Sequence, residues 1–260
     1  ILLSKQSTIN TKSIPWLHVL NEHPTTLKKY SNIKNTTSFF DCFFIKYIFL
    51  FFRNLFIESK SVSTGFLNQR PKKYDVLIIS HLVSEDHLNL KDDFYFGNLP
   101  IEIHKRDKKC LVLQINHTKL SYKEFSNRKV NKEFQRIIFP SKISLLKELK
   151  MFFETLKVSF YLRRGTSKAK SLFEKKFFQQ AARAALSFES LSAIRFVNQL
   201  SMLLEHTQPK VIITTMEGHS WERLAYYYAK QILPNIKCVG YQHAILFPRQ
   251  HSIKRQLKNN

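Results

Sequence analysis

Short apolar runs alternate with longer amphipathic segments from residue 74 onward, and this order constrains the fold more than any other feature of the sequence. The runs are continuous and bounded by polar residues, which predicts buried parallel strands at Tyr74–Ser80, Cys110–Ile115, Arg136–Phe139, Lys210–Thr215 and Ile236–Tyr241. The longer segments place apolar residues three and four positions apart, which predicts helices over Ile143–Arg163, Lys168–Leu186, Phe188–His206 and Ser220–Leu233. Repeated strand–helix–strand order predicts an α/β fold: a Rossmann-like parallel sheet with helices on both faces.

The most apolar stretch, Phe39–Ile57, precedes this pattern. Asp41, Lys46 and Arg53 interrupt it, and each charge costs roughly 2.5–3.5 kcal/mol at the centre of a bilayer, so we do not predict a transmembrane helix. A helix lying in the membrane interface could bury its Phe residues and direct Lys46 and Arg53 to the headgroups. An ordinary helix packed on its own domain or on a partner fits the pattern equally well.

Two parts of the chain are therefore expected. Residues 1–70 form a basic, aromatic-rich helical extension with a possible membrane-interface helix, and residues 71–260 form the Rossmann-like domain. Further basic residues flank the apolar stretch and would add attraction to anionic lipid; they are Lys28, Lys29, Lys34, Lys60, Arg70, Lys72 and Lys73.

Composition narrows the classes of function. The net charge of +23 attracts polyanions such as nucleic acid, anionic lipid and phosphorylated substrates, although a biased composition accounts for part of it. Cys42, Cys110 and Cys238 lack CxxC spacing, which argues against a disulfide framework or a thiolate zinc site and fits a reducing cytosol. Only five glycines occur, without a G-x-G-x-x-G or Walker-type loop, and there is no HExxH. We expect no bound cofactor and no catalytic metal.

Polar, protonatable side chains follow four of the five predicted strands. Carboxyl ends of parallel strands share one edge of the sheet, where ligands bind, so these side chains predict a site. A single histidine at such a place is usually structural, but the repetition at four strand ends favours a site. The residues are His81, Asn116, His117, Glu217, Gln242 and His243.

The segment MEGHSWERL, residues 216–224, carries the strongest local signal. Glu217 leaves the strand, Gly218 permits an unusual turn, and Ser220 is expected to cap the helix that begins near Trp221. The helix start would offer free N–H groups to a phosphate or carboxylate. Glu217 could accept from sugar hydroxyls or act as a general base. Glu222 is expected to complement the helix dipole and Trp221 to anchor packing.

This segment, followed after one helix by VGYQHAILFPRQHS at 239–252, resembles the signature region of GT-B-like surface carbohydrate biosynthesis proteins of O-antigen and capsule loci. The earlier segments DVLIISH, FYFGNLP and LQINHT are similar to the N-terminal domain of the same group. The resemblance extends from Tyr74 to Ser252 and is strongest over Val211 to Ser252.

The resemblance implies a metal-independent glycosyltransferase in which two Rossmann-like domains face each other across a cleft. The N-terminal domain, which this chain resembles, receives a polyprenyl-linked or polysaccharide acceptor, and the second domain holds the nucleotide-sugar. The protein would be cytoplasmic and peripheral, on the inner face of the bacterial plasma membrane. If the polypeptide ends at Asn260, the second domain and its donor site are missing, and we do not expect catalysis by the chain alone.

Matched motif positions imply the roles of single residues. Glu217 is the expected base that takes the proton of the acceptor hydroxyl, and His243 could assist the base or the departing diphosphate. The cleft would further contain Gly218, Trp221, Glu222 and Gln242, with His81, Asn116 and His117 as additional substrate-binding candidates on the same edge.

Two alternatives remain open. His81 and Asp86 have the His-x4-Asp spacing of membrane acyltransferases, in which the Asp orients the His as a base, but the flanking residues of that family are absent. A nucleic-acid-binding module would explain the charge and the 13% aromatic content. The sequence has no RNP, KH or zinc-finger signature, so a nucleic-acid partner is not expected.

Overall fold

A computed structural model describes residues 73–118, 120–127, 133–139, 143–170, 172–217 and 219–242, together with 45, 47–49 and 51–52. Its core is one all-parallel sheet of five strands. The strands are β1 (Val76–Leu82), β2 (Cys110–Asn116), β3 (Gln135–Ile138), β4 (Val211–Thr215) and β5 (Lys237–Tyr241). All five correspond to predicted strands, so the predicted α/β class and parallel sheet are confirmed.

Six helices connect and cover these strands within the described ranges. They are α1 (Leu99–Lys105), α2 (Tyr122–Asn127), α3 (Leu145–Gly165), α4 (Leu172–Ala185), α5 (Phe188–Thr207) and α6 (Ser220–Ile232). The four long helices were predicted, whereas α1 and α2 were not. With seven and six residues, these two are too short to show a clear helical period in sequence.

Strand order is β3-β2-β1-β4-β5. The chain therefore builds outward from β1 in one direction through β2 and β3, and then returns to add β4 and β5 on the other side. This reversal lies between β1 and β4, which pair in parallel from Val76↔Val211 to Ile79↔Thr214. The order is consistent with the predicted Rossmann-like sheet, in which the reversal opens a crevice at the carboxyl ends of the strands.

Alternate residues of β1, β2 and β4 enter two different cores, because successive side chains of a strand point to opposite faces. Leu77 and Ile79 of β1 pack in a cluster with residues of α5 and α6. Ile78 of β1 and Val112 of β2 belong to a second cluster, against which α1 packs. The predicted placement of helices on both faces is confirmed.

Helices α3 and α4 form an additional pair that packs on α5. The aromatic stretch joins this layer: described residues within 45–52 are helical, and Tyr47 and Phe51 are buried in a cluster with residues of α3. The Phe51 and Phe152 rings stack with centroids 4.2 Å apart, and the Tyr47 hydroxyl lies 2.6 Å from Thr155 Oγ1. This face of the stretch therefore packs on its own chain. The remainder of the 1–70 extension lies outside the described residues.

None of the helices in the described ranges combines the length and the apolar character that crossing a membrane requires.

Candidate functional site

The reversal of strand order places the ends of β1 and β4 side by side, and His81 occupies this point. Its Nε2 lies 3.0 Å from Thr215 Oγ1 at the end of β4. Its Nδ1 lies 2.9 Å from His117 Nε2, directly after β2. His81 is buried, whereas His117 is exposed. Three neighbouring strands thus contribute one chain of polar groups that leads from the interior to the surface.

Aromatic rings enclose the His81 imidazole. Its centroid is 5.1 Å from that of Tyr95 and 5.6 Å from that of Trp221, which it meets edge to face. Trp221 also contacts Phe196 of α5, with centroids 5.5 Å apart. Trp221 therefore anchors packing, as predicted, and at the same time forms one wall of the cluster.

Tyr95 was not among the predicted site residues. The buried carboxylate of Asp93 holds the turn that places Tyr95 next to His81. Asp93 Oδ1 accepts hydrogen bonds from Ser80 Oγ at 2.7 Å and from the backbone N–H groups of Tyr95 and Phe96 at 3.0 Å each. Gly97 closes the turn with a φ of 54°, a conformation that glycine adopts at little cost. The segment FYFGNLP contains Tyr95 and Gly97, but the sequence does not indicate which strand this turn contacts.

Arg136 of β3 holds the preceding loop. Its guanidinium donates to the backbone carbonyls of Leu88 at 3.0 Å, Leu90 at 2.8 Å and Asp92 at 3.1 Å. Burial lowers the pKa of Arg136, and the carboxylates of Asp93 and Asp92 oppose that shift. The loop that carries Tyr95 is consequently fixed from both sides.

The loop after β4 brings a carboxylate to the same edge. Glu217 Oε2 lies 3.1 Å from His219 Nε2, and both side chains are partly open to solvent. The Glu217 backbone N–H donates to Glu222 Oε1 at 2.9 Å, and Glu222 is 0% exposed. Glu222 lies in the first turn of the helix, as the predicted interaction with the helix dipole requires, and its buried carboxylate also holds the loop that carries Glu217.

Helix α6 begins at the first residue of the predicted segment Ser220–Leu233. Ser220 is its first helical residue and His219 occupies the N-cap position, without a capping hydrogen bond from its side chain. The prediction that Ser220 caps the helix is therefore wrong.

Electrostatic coupling shows that these side chains share one environment. Although His117 reaches the surface, neighbouring groups displace part of the water around its ring; this partial desolvation lowers the pKa of His117 first, and the nearby His219 lowers it further. The pKa of Tyr95 is raised by burial, and the negative charges of Glu217 and Asp93 raise it further. The site thus places a carboxylate and imidazole rings at the same edge of the sheet, and these groups are suited to proton transfer.

Four predicted site residues remain to be placed: Asn116, Gln242, Gly218 and His243. Asn116 stabilises the turn that follows β2. Its Nδ2 donates to the Leu120 carbonyl at 2.6 Å, and its Oδ1 accepts from the N–H and the hydroxyl of Thr118. Gln242 follows β5 directly and is half-buried. Gly218 and His243 lie outside the described residues, so the expected proximity of His243 to Glu217 stays a prediction. Backbone pairing does bring the two segments together, since the Met216 N–H donates to the Tyr241 carbonyl at 2.9 Å.

The pairing that the acyltransferase alternative requires is not favoured. Both ring nitrogens of His81 lie within hydrogen-bond distance of His117 and Thr215, and Asp86 is exposed in the short 3-10 turn Glu85–Leu88. Within the described ranges, no three His, Cys, Asp or Glu side chains are grouped as metal ligands.

The fold and the site together define an α/β protein with a five-stranded parallel sheet and a cluster of His, Glu, Thr and Tyr side chains at the point where strand order reverses. No protein-family model matches the chain, and neither a curated protein nor a solved structure is significantly similar to it.

Proposed function

We propose that this edge of the sheet binds a hydroxyl-bearing acceptor, and that the chain is the acceptor-side domain of a GT-B-type glycosyltransferase of bacterial surface polysaccharide. The observation that supports the proposal is the convergence of His81, His117 and Glu217 from three strand ends at the reversal of strand order. The resemblance of the segments that contain Glu217 and Gln242 to surface carbohydrate biosynthesis proteins adds the reaction class.

The proposed step is a substitution at the anomeric carbon of a nucleotide-sugar. The acceptor oxygen forms a bond to that carbon, the bond between the carbon and the diphosphate oxygen breaks, and the nucleoside diphosphate leaves with the electron pair. The acceptor proton passes to the carboxylate of Glu217, whose side chain is partly exposed. A second α/β domain would hold the nucleotide-sugar.

His117 is the second candidate for proton transfer. Its Nδ1 has no partner among the described residues, while its Nε2 is held by His81. The hydrogen-bond chain from Thr215 through His81 restricts the orientation of the His117 ring. His81 therefore acts as a positioning residue in this proposal.

The acceptor class follows from the resemblance: a polyprenyl-linked sugar or a growing polysaccharide. An acceptor on a polyprenyl carrier remains at the membrane, so the proposal places the protein on the inner face of the plasma membrane.

Transfer of a labelled sugar tests the proposal. The full-length protein is incubated with UDP-N-acetylglucosamine, UDP-galactose, GDP-mannose or dTDP-rhamnose and with farnesyl-diphosphate-linked N-acetylglucosamine, and the product is detected by mass spectrometry. Glu217→Gln should lower the rate about 10²- to 10⁴-fold, as expected for loss of a general base. Glu205→Gln, at an exposed position on α5, is the matched control and should leave the rate unchanged.

Two results would contradict the proposal. One is an unchanged rate in Glu217→Gln. The other is the absence of product from every donor together with the absence of acceptor-induced NMR shifts at His117.

A further inference from the structure

The outer face of α3 carries an unusual mixture of side chains. Positions spaced alternately four and three residues apart form one stripe along the helix, and apolar and basic residues alternate within it. The stripe consists of Leu146, Lys150, Phe153, Lys157, Phe160 and Arg164. Leu146 is 79% exposed and Phe153 is 62% exposed. Exposed large apolar side chains at regular spacing mark a surface that other molecules contact.

Folding of the domain does not need this stripe. The opposite face of α3 already supplies the contacts with the rest of the protein, since Met151, Phe152, Thr155 and Leu162 are all buried there. The outer stripe is therefore additional to the core.

The helical stretch within 45–52 extends the apolar surface. Ile45, Phe49 and Phe52 repeat at spacings of four and three residues and are exposed, with Phe49 at 64%. The Phe152 ring contacts both Phe52, with centroids 6.1 Å apart, and Phe153, with centroids 5.6 Å apart. The two helices that carry these stripes are therefore in contact. We call the two stripes together the α3 outer surface.

Charge gives this surface its specificity. Lys150 and Lys157 are exposed and form no ion pair with the described residues, and the Arg164 guanidinium lies over the Phe160 ring at 4.6 Å. The acidic Glu148 points inward to Arg195, and Glu154 is half-buried on the flank of the helix. The stripe itself contains no acidic residue. Aromatic and aliphatic groups interleaved with unpaired cations match the chemistry of a bilayer interface that contains anionic lipid.

We infer that the α3 outer surface binds the interface of an anionic lipid bilayer. Its Leu and Phe side chains enter the boundary between headgroups and acyl chains, and Lys150, Lys157 and Arg164 contact lipid phosphates. The aliphatic Leu146 and Ile45 favour lipid over a single-stranded nucleic acid, which stacks its bases on aromatic rings. This inference does not need the sugar-transfer proposal, because lipid binding is measured without substrate.

Sedimentation with large unilamellar vesicles tests it. The full chain should sediment with vesicles of phosphatidylcholine and phosphatidylglycerol at 70:30, and not with phosphatidylcholine alone. Lys150→Gln/Lys157→Gln should lower the partition coefficient about 25-fold, since each cation near an anionic surface contributes about fivefold. Phe153→Gln/Phe160→Gln should lower it about tenfold or more through loss of apolar contact. Lys108→Gln/Lys237→Gln is the charge-matched control and should bind normally, because both lysines are exposed at the amino-terminal edge of the sheet and are not part of the α3 outer surface.

Three outcomes would overturn the inference, each assessed on variants with an unchanged thermal melt. The first is equal loss of vesicle binding in the control and in the α3 variants. The second is salt-sensitive binding of single-stranded RNA without binding to the anionic vesicles. The third is self-association that the Phe153→Gln/Phe160→Gln variant abolishes, without binding to vesicles.

Discussion

Arg195 joins α5 to α3 through a largely buried ion pair in which the arginine side chain is 14% exposed, and its removal should strongly destabilise the domain. Its Nε lies 2.7 Å from Glu148 Oε1 and its terminal nitrogen lies 2.9 Å from Glu148 Oε2, while the Glu148 side chain is only 2% exposed. The same carboxylate accepts the Ile143 N–H at 3.2 Å. Arg195→Met leaves this carboxylate buried without its counter-charge.

The expected cost is about 3–5 kcal/mol, the range for breaking a buried ion pair on one side. That is a large share of the roughly 5–15 kcal/mol that stabilises a domain. At about 2–4 °C per kcal/mol, the melting temperature should fall by roughly 6–20 °C. Glu148→Met/Arg195→Met removes both charges and should recover most of the loss, because a pair of apolar side chains of similar volume requires no counter-charge.

Urea denaturation followed by far-UV circular dichroism measures the free energy of unfolding of the single and double variants. A double-mutant cycle then gives the coupling between the two residues. If Arg195→Met costs less than about 1 kcal/mol, or if the double variant is no more stable than the single one, the pair is not buried and coupled as described.

Three further predictions follow from the structure. Gly165→Ala would place a Cβ 2.7 Å from the Phe178 ring, so it should cost about 1–3 kcal/mol through overpacking; Gly165→Ala/Phe178→Leu should recover part of it in thermal melts, and equal melting of all three proteins would contradict the contact. His219→Gln should raise the pKa of His117, since it removes one of the two causes that lower it. If an NMR titration shows no rise in this pKa, His219 does not act electrostatically on His117. Because the pKa of His117 is lower in the folded than in the unfolded chain, the unfolded chain binds more protons as pH falls below about 6.5, and the free energy of unfolding should fall with it. His117→Gln should flatten this part of the pH profile, and a profile that keeps its slope would assign the effect to another group.

The strands and the long helices could be predicted from sequence because they depend on neighbouring residues. The apolar run predicted at Tyr74–Ser80 and the helical spacing of α3 are local signals, and the structure places these elements within four residues of the predicted bounds. The strand-end positions of His81, His117 and Glu217 follow from the same signals, because each residue comes directly after an apolar run or ends one.

Contacts between residues of different segments could not be predicted from the local sequence pattern. Tyr95 reaches His81 only because Asp93 and Arg136 fix its loop, and the carboxylate of Glu222 turns inward to the Glu217 N–H. Neither arrangement has a periodicity that a sequence would display.

The sequence alone determined an α/β chain of parallel strands with protonatable side chains at their ends, since alternating apolar runs and amphipathic helices have few other ways to bury their surfaces. Only the tertiary structure decided the strand order, and with it that the ends of β1 and β4 become neighbours. It also decided which face of α3 remains outside the core. These features depend on packing between segments more than a hundred residues apart, such as His81 and Thr215, and no local stretch of the chain encodes them.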